Sequence, residues 1–201
     1  MIRIAAIALL LSIANTGTDW VLKKDKNEIK VYTRSVPGSK LDEFKAVTLV
    51  PNTTITHLLD ILTDVPRYDR LFPDCSGTRL IERTGKYDTV HYIRTEAPFP
   101  VSDRDGVYEQ RTQRSADGSS ARVTIRAVPD RIPTIKGLVR IPKGNGTWTF
   151  VALGKNVKVS YQFHGEPGGD VPAWLANSFI VDHPYRTLEN LRTLAKERAA
   201  P

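Results

Sequence analysis

The sequence predicts an α+β fold: an antiparallel sheet, a helical patch near the N-terminal end, and one long C-terminal helix. Three observations carry this. From Gly77 onward the chain is a succession of short runs in which apolar and polar residues alternate, separated by turn residues. Helical spacing appears in a patch after residue 52 and then only at the end. Strands grouped together, with helices set apart from them, are the order of an α+β domain rather than of repeated βαβ units.

The elements follow in order. In "NEIKVYTRSV" Ile29 and Val31 alternate with Lys30 and Tyr32, and Pro37-Gly38 marks a turn. "KLDEFKAVTLV" is a second strand, with Phe44, Ala46 and Thr48 on one face. "NTTITHLLDILTD" changes period. Ile55, Leu58, Leu59 and Leu62 fall at helical spacing, with Asn52 or Thr53 as cap. "VPRYDRLFPDC" is a short aromatic element ended by Pro73. The strand runs that follow are "TRLIERT", "YDTVHYIRTE", "GVYEQRTQRS", "SARVTIRAV", "GLVRI", "GTWTFVAL" and "NVKVSYQFHG". Turns are expected at Gly85, Asp117-Gly118, Gly144-Asn145-Gly146 and Gly154. Val157, Val159, Tyr161 and Phe163 alternate with polar residues, the mark of a sheet with one face on a core and one in water. In the last helix Pro172 suits the first turn. Trp174, Phe179, Leu188, Leu191 and Ala195 form a stripe, and Pro184 should kink or interrupt it.

The chain has 201 residues, a single domain's worth. Residues 1–14 read as a secretory signal: Arg3, an apolar run from Ile4 to Ala14 too short to span a bilayer, and a small-x-small pair, Ser12 and Ala14. The folded domain is expected over 19–200, secreted or periplasmic. Cleavage would remove one basic residue and lower the net charge from +7 to +6. A mildly basic monomer of this kind can meet an anionic membrane surface transiently. No dense Lys/Arg run with interleaved aromatics points to nucleic acid. The lone Cys75 rules out an internal disulfide and any multi-cysteine metal site.

No metal-type histidine pair, G-x-S-x-G elbow or phosphate loop is present, so no catalytic residue, metal ligand or cofactor is assigned. The glycines of "KGNGTW" read as a hairpin turn. The segment "APFPVSDRD" stands out, because a tight turn would have served to join its flanking strands. Its two prolines stiffen the connection. Asp103, Arg104 and Asp105 could be a catalytic acid pair around an arginine. They read better as a structural clamp, the guanidinium tying both carboxylates by charge-assisted hydrogen bonds. That leaves Pro98, Phe99, Pro100 and Val101 as a stiff apolar tip, a gate loop over some opening.

"PFPVSDRDGVY" resembles the signature segment of the START family, the StAR-related lipid-transfer domains. "YQFHGEPGGDVPAWLANS" resembles the passage that leads into that family's last helix, and "GLVRI" the segment before its final hairpin. The match runs in order from about Trp20, and its wording is nearest the phosphatidylcholine-transfer branch. The resemblance implies a helix-grip fold, a curved antiparallel sheet around the C-terminal helix, enclosing an apolar tunnel for one lipid. The gate loop and that helix would flank its mouth. Ligand-facing positions on this reading are His91, Ile93, Tyr108, Gln110, Trp148, Phe163, Trp174, Asn177 and Ser178. In sterol-carrying members a buried acid–arginine pair is expected; His91 and Gln110 stand at the corresponding places, which argues against a sterol. Three functions compete: a lipid carrier without catalysis, an enzyme such as a polyketide cyclase or hydrolase on a related scaffold, and a membrane-surface module with no specific ligand. Fold alone does not separate them. The absence of a paired nucleophile and base favours the carrier.

Overall fold

The computed structural model describes residues 19–198 except 170, 173, 174 and 177. Its strands are β1 (Val21–Lys26), β2 (Ile29–Arg34), β3 (Glu43–Val50), β4 (Cys75–Arg83), β5 (Thr89–Thr95), β6 (Arg104–Arg114), β7 (Ser120–Ala127), β8 (Val139–Arg140), β9 (Lys143–Leu153) and β10 (Asn156–Glu166). The helices are α1 (Ile55–Leu62), α2 (Tyr68–Leu71) and α3 (His183–Arg198). The strands form a single sheet in the order β1-β2-β3-β10-β9-β7-β6-β5-β4, each neighbouring pair antiparallel. Among the described residues only β8 joins it in parallel, along the start of β6.

Alternation decides what the sheet buries. Ile29, Val31, Phe44, Ala46, Val157, Val159 and Tyr161 all face the core. α3 packs on β2 and β3 and against α1 and α2. Its stripe Leu188, Leu191, Leu194 and Ala195 is buried there. The α+β helix-grip architecture is therefore the observed one.

Three local readings are corrected. α1 is capped by Thr54, whose Oγ1 accepts from the His57 backbone N–H at 3.2 Å, rather than by Asn52 or Thr53. Asn52 has a φ of 48°, outside the extended geometry a cap needs. Gly144, Asn145 and Gly146 make no turn; they lie inside β9, paired across to Gly165, His164 and Phe163 of β10. The last helix is interrupted, as Pro184 foretold. A π-helical turn over Ser178–Asp182 precedes α3. Proline has no N–H for the carbonyl one turn earlier, so it sits in the first turn of a helix more readily than in its middle. The 1–14 leader lies outside the described residues.

Candidate functional site

A cavity of about 170 Å³ lies between the inner face of the sheet and the chain leading into α3. Register places its walls. On β5 and β6, His91 faces Tyr108, Ile93 faces Gly106, and Thr95 faces Arg104. Ile125 of β7 continues the wall, followed by Tyr161 and Phe163 of β10 and Phe44 of β3. Phe179 and Ile180 of the π-helical turn, with His183, close it from the other side, and Phe72 fills the end of α2. Leu41, Asp42, Ile141 and Pro167 come from loops at the strand ends, and Glu166 is the last residue of β10.

The wall is largely aromatic. Phe44 meets Tyr161 edge-on at 5.0 Å between ring centroids, and Tyr108 meets Phe163 edge-on at 6.2 Å. His91 stands edge-on to Tyr68 at 5.1 Å, and its Nδ1 lies 3.2 Å from the Thr89 hydroxyl. Burial in this apolar setting pushes the His91 pKa down to about 4, so the imidazole is neutral near pH 7. His183 is pushed to about 4 as well, by loss of water. Its Nε2 lies 3.1 Å from the Pro73 carbonyl, which can only accept, so Nε2 carries the proton. Burial raises the Tyr108 pKa, and the charge of Asp105 adds to the rise. The cavity thus offers neutral donors and acceptors from its histidines and Tyr108, beside the buried guanidinium of Arg104 and the carboxylates of Asp42 and Glu166, to the polar end of an apolar molecule, the usual anatomy of a small-molecule site.

Of the expected ligand-facing residues, His91, Ile93, Tyr108 and Phe163 line the cavity. Two others do not. Trp148 is fully buried behind the wall, stacked on Tyr161 at 4.0 Å. Gln110 is buried deeper along β6, where its Nε2 donates to the Tyr87 carbonyl at 3.4 Å. Both share the inner face with true wall residues, but each position is filled by core packing. Ser178 opens the π-helical turn, and its neighbours Phe179 and Ile180 supply the lining. Trp174 and Asn177 lie outside the described residues.

The clamp is also corrected. Asp103 is held by Arg94, at 2.6 and 3.1 Å, and its other oxygen accepts from the Ala97 N–H at 3.0 Å. That backbone hydrogen bond, then Arg94, lowers its pKa. Asp105 is gripped from the outer face by Arg140, Nε and Nη2 reaching its two oxygens at 2.8 and 3.0 Å. Arg104 is the residue between them, and strand alternation turns it to the opposite face, where it lines the cavity. The gate loop is therefore tied at its base by Asp103. Pro98, Phe99 and Pro100 project outward, Phe99 being 96% exposed. The two residues that bracket the loop, Thr95 and Arg104, both line the cavity, so the tip stands beside its end.

Sequence reasoning missed Phe44, Tyr161, Phe179, Ile180 and His183 as wall residues. The first two were on the correct face; what singles them out is a strand order that brings β3 and β10 beside the cavity. Nothing periodic marks His183 or the loop residues.

Residues 53–192 match a family model described as polyketide cyclase / dehydrase and lipid transport. Over 181 residues the chain is 39% identical to an uncharacterized protein of Pseudomonas aeruginosa, covering 90% of this chain and 88% of that one. It is 30% identical to the human phosphatidylcholine transfer protein over 177 residues, 86% of this chain and 81% of that one. Among solved structures, a fragment of a STAR-related lipid transfer protein from Xanthomonas axonopodis superposes with a TM-score of 0.81 at 40% identity. That match covers 88% of this chain and 98% of the other.

Proposed function

The chain belongs to the polyketide cyclase / dehydrase and lipid transport family, among its StAR-related lipid-transfer members, and on that premise we propose that it holds one lipid in the cavity and carries it between membranes. The observation that carries the reading is the cavity itself: an aromatic and aliphatic enclosure under the C-terminal segment, with a few polar groups, Arg104 among them, and, among the described residues, no paired nucleophile and base. Phosphatidylcholine is the first ligand to test, because a relative of 30% identity is named for its transfer. The exposed Phe99 tip beside the cavity end supports a transient membrane contact during exchange. The apolar run from Ile4 to Ala14 supports export, with the mature chain starting at or near Asn15 and acting as a monomer in the periplasm or outside the cell. N-terminal sequencing of the mature protein checks the export claim, and intact Met1 in the cytosol would overturn it.

A second reading has one observation in its favour. His91 and Tyr108 face each other across β5 and β6 inside the cavity, and the family also includes cyclases and dehydrases. One experiment separates the two. The protein is loaded with a mixed lipid extract, and bound and chemically altered species are identified by mass spectrometry. A carrier returns its ligand unchanged. A product that forms with wild type and disappears with His91→Leu would make the protein an enzyme.

A further inference from the structure

Four glycines lie in strands around two rings of the cavity wall. Gly106 is on β6, Gly144 and Gly146 are on β9, and Gly165 is on β10. None has a positive φ, so no backbone demand explains them. Glycine inside a strand weakens it, and often marks a close approach by another group. Here the approach is made by Phe163 and Tyr108. A methyl group on Gly144 would sit 2.8 Å from Cζ of Phe163 and 3.3 Å from Cε1 of Tyr108. One on Gly146 would sit 2.6 Å from Cδ2 of Phe163, and one on Gly165 2.8 Å from its Cε1. A methyl on Gly106 would collide with the Tyr108 ring edge. Register explains the convergence. Gly146 is the cross-strand partner of Phe163, and Gly144 that of Gly165, so three bare positions surround a single ring. The Phe163 ring folds down over its own strand and its neighbour instead of standing into the cavity.

We propose that these glycines set the depth of the cavity: by letting the Phe163 and Tyr108 rings pack down against the strands, they fix the longest apolar chain it accepts. The inference rests on the carrier reading and adds what selects the ligand. A side chain on the bed lifts a ring into the ligand's space, whereas trimming the ring deepens the space. Gly144→Ala is the informative change, because the atoms nearest its new methyl are ring atoms rather than backbone.

The test measures competition of straight-chain fatty acids, from octanoate to stearate, against a fluorescent acyl probe. Gly144→Ala should bind stearate about tenfold more weakly and octanoate as wild type does, the equivalent of about two methylenes lost from the contact. Phe163→Leu should shift the profile the other way. The double variant should return to within about twofold of wild type, a rescue that general destabilisation would not give. A Gly144→Ala protein with the wild-type melting temperature and the wild-type length profile overturns the proposal. Should that variant fail to fold, an unchanged profile in Phe163→Leu overturns it equally. Wild-type protein that takes up neither these acids nor any lipid from a mixed extract overturns the carrier reading itself, and the glycine bed's role with it.

Discussion

Arg94 and Arg140 each hold one aspartate of the same triplet, yet their surroundings make them unequal. The Arg140 and Asp105 side chains are 8% and 1% exposed, against 44% and 20% for Arg94 and Asp103. Arg140 also donates to the carbonyls of Pro129, Ile132 and Pro133, pinning the segment that covers Val90, Tyr92 and Val107 on the outer face. Arg140→Met leaves Asp105 buried and unpaired, and should cost on the order of 3–5 kcal/mol. Arg94→Ala, at an exposed pair screened by water, should cost far less. Urea unfolding of the two variants checks this, and equal losses would show that burial does not separate the pairs. The triplet's charges were legible in the sequence as structural groups, but their partners were not. Arg140 lies far along the chain, and only the short parallel pairing of β8 on β6 brings it to Asp105.

Strand and helix types were legible because periodicity reports which face is buried, and burial is what folds the chain. The same logic failed in β9, where glycines were read as turn residues. Their cause lies across the sheet, in the ring of Phe163, and no local pattern carries it. It failed again at the cavity mouth, which is built from loop residues without a period. The gate loop was legible in part: prolines and an anchoring acid described a stiff, tied connection, but not which base tied it. As an element, the loop separates stability from exchange. Phe99 is almost fully exposed and buries nothing in the core. Phe99→Glu should therefore leave the melting temperature nearly unchanged while slowing lipid exchange between anionic vesicles, since the tip loses its apolar contact and gains a repelled charge. A transfer rate equal to wild type would place the membrane contact elsewhere on the molecule.

At the scale of the whole molecule, the sheet and α3 enclose neutral histidines, and this couples stability to pH. The sign follows from proton binding. His91 has a folded pKa of about 4 against about 6.5 in the unfolded chain, so below pH 6.5 the unfolded state binds more protons. Its contribution is fully present above pH 6.5 and is lost as pH falls through the window from about 6.5 to about 4. By pH 5 the loss from His91 alone is about 2 kcal/mol. His183 acts in the same direction. The carboxylates with lowered pKa values, Asp103, Glu109 and Asp117, start from ordinary values of 3.8, 4.5 and 3.8, so their losses come at lower pH. The interval from pH 6.5 to 5 therefore isolates the histidines. His91→Phe keeps a ring against Tyr68 and Tyr108 but cannot take a proton. Its stability should fall less over this interval than wild type's, by about 2 kcal/mol, in urea titrations of ligand-free protein at stepped pH. Parallel curves for the two proteins would mean that His91 finds a way to carry its charge in the folded state, and that the enclosure around it is wetter than its burial implies.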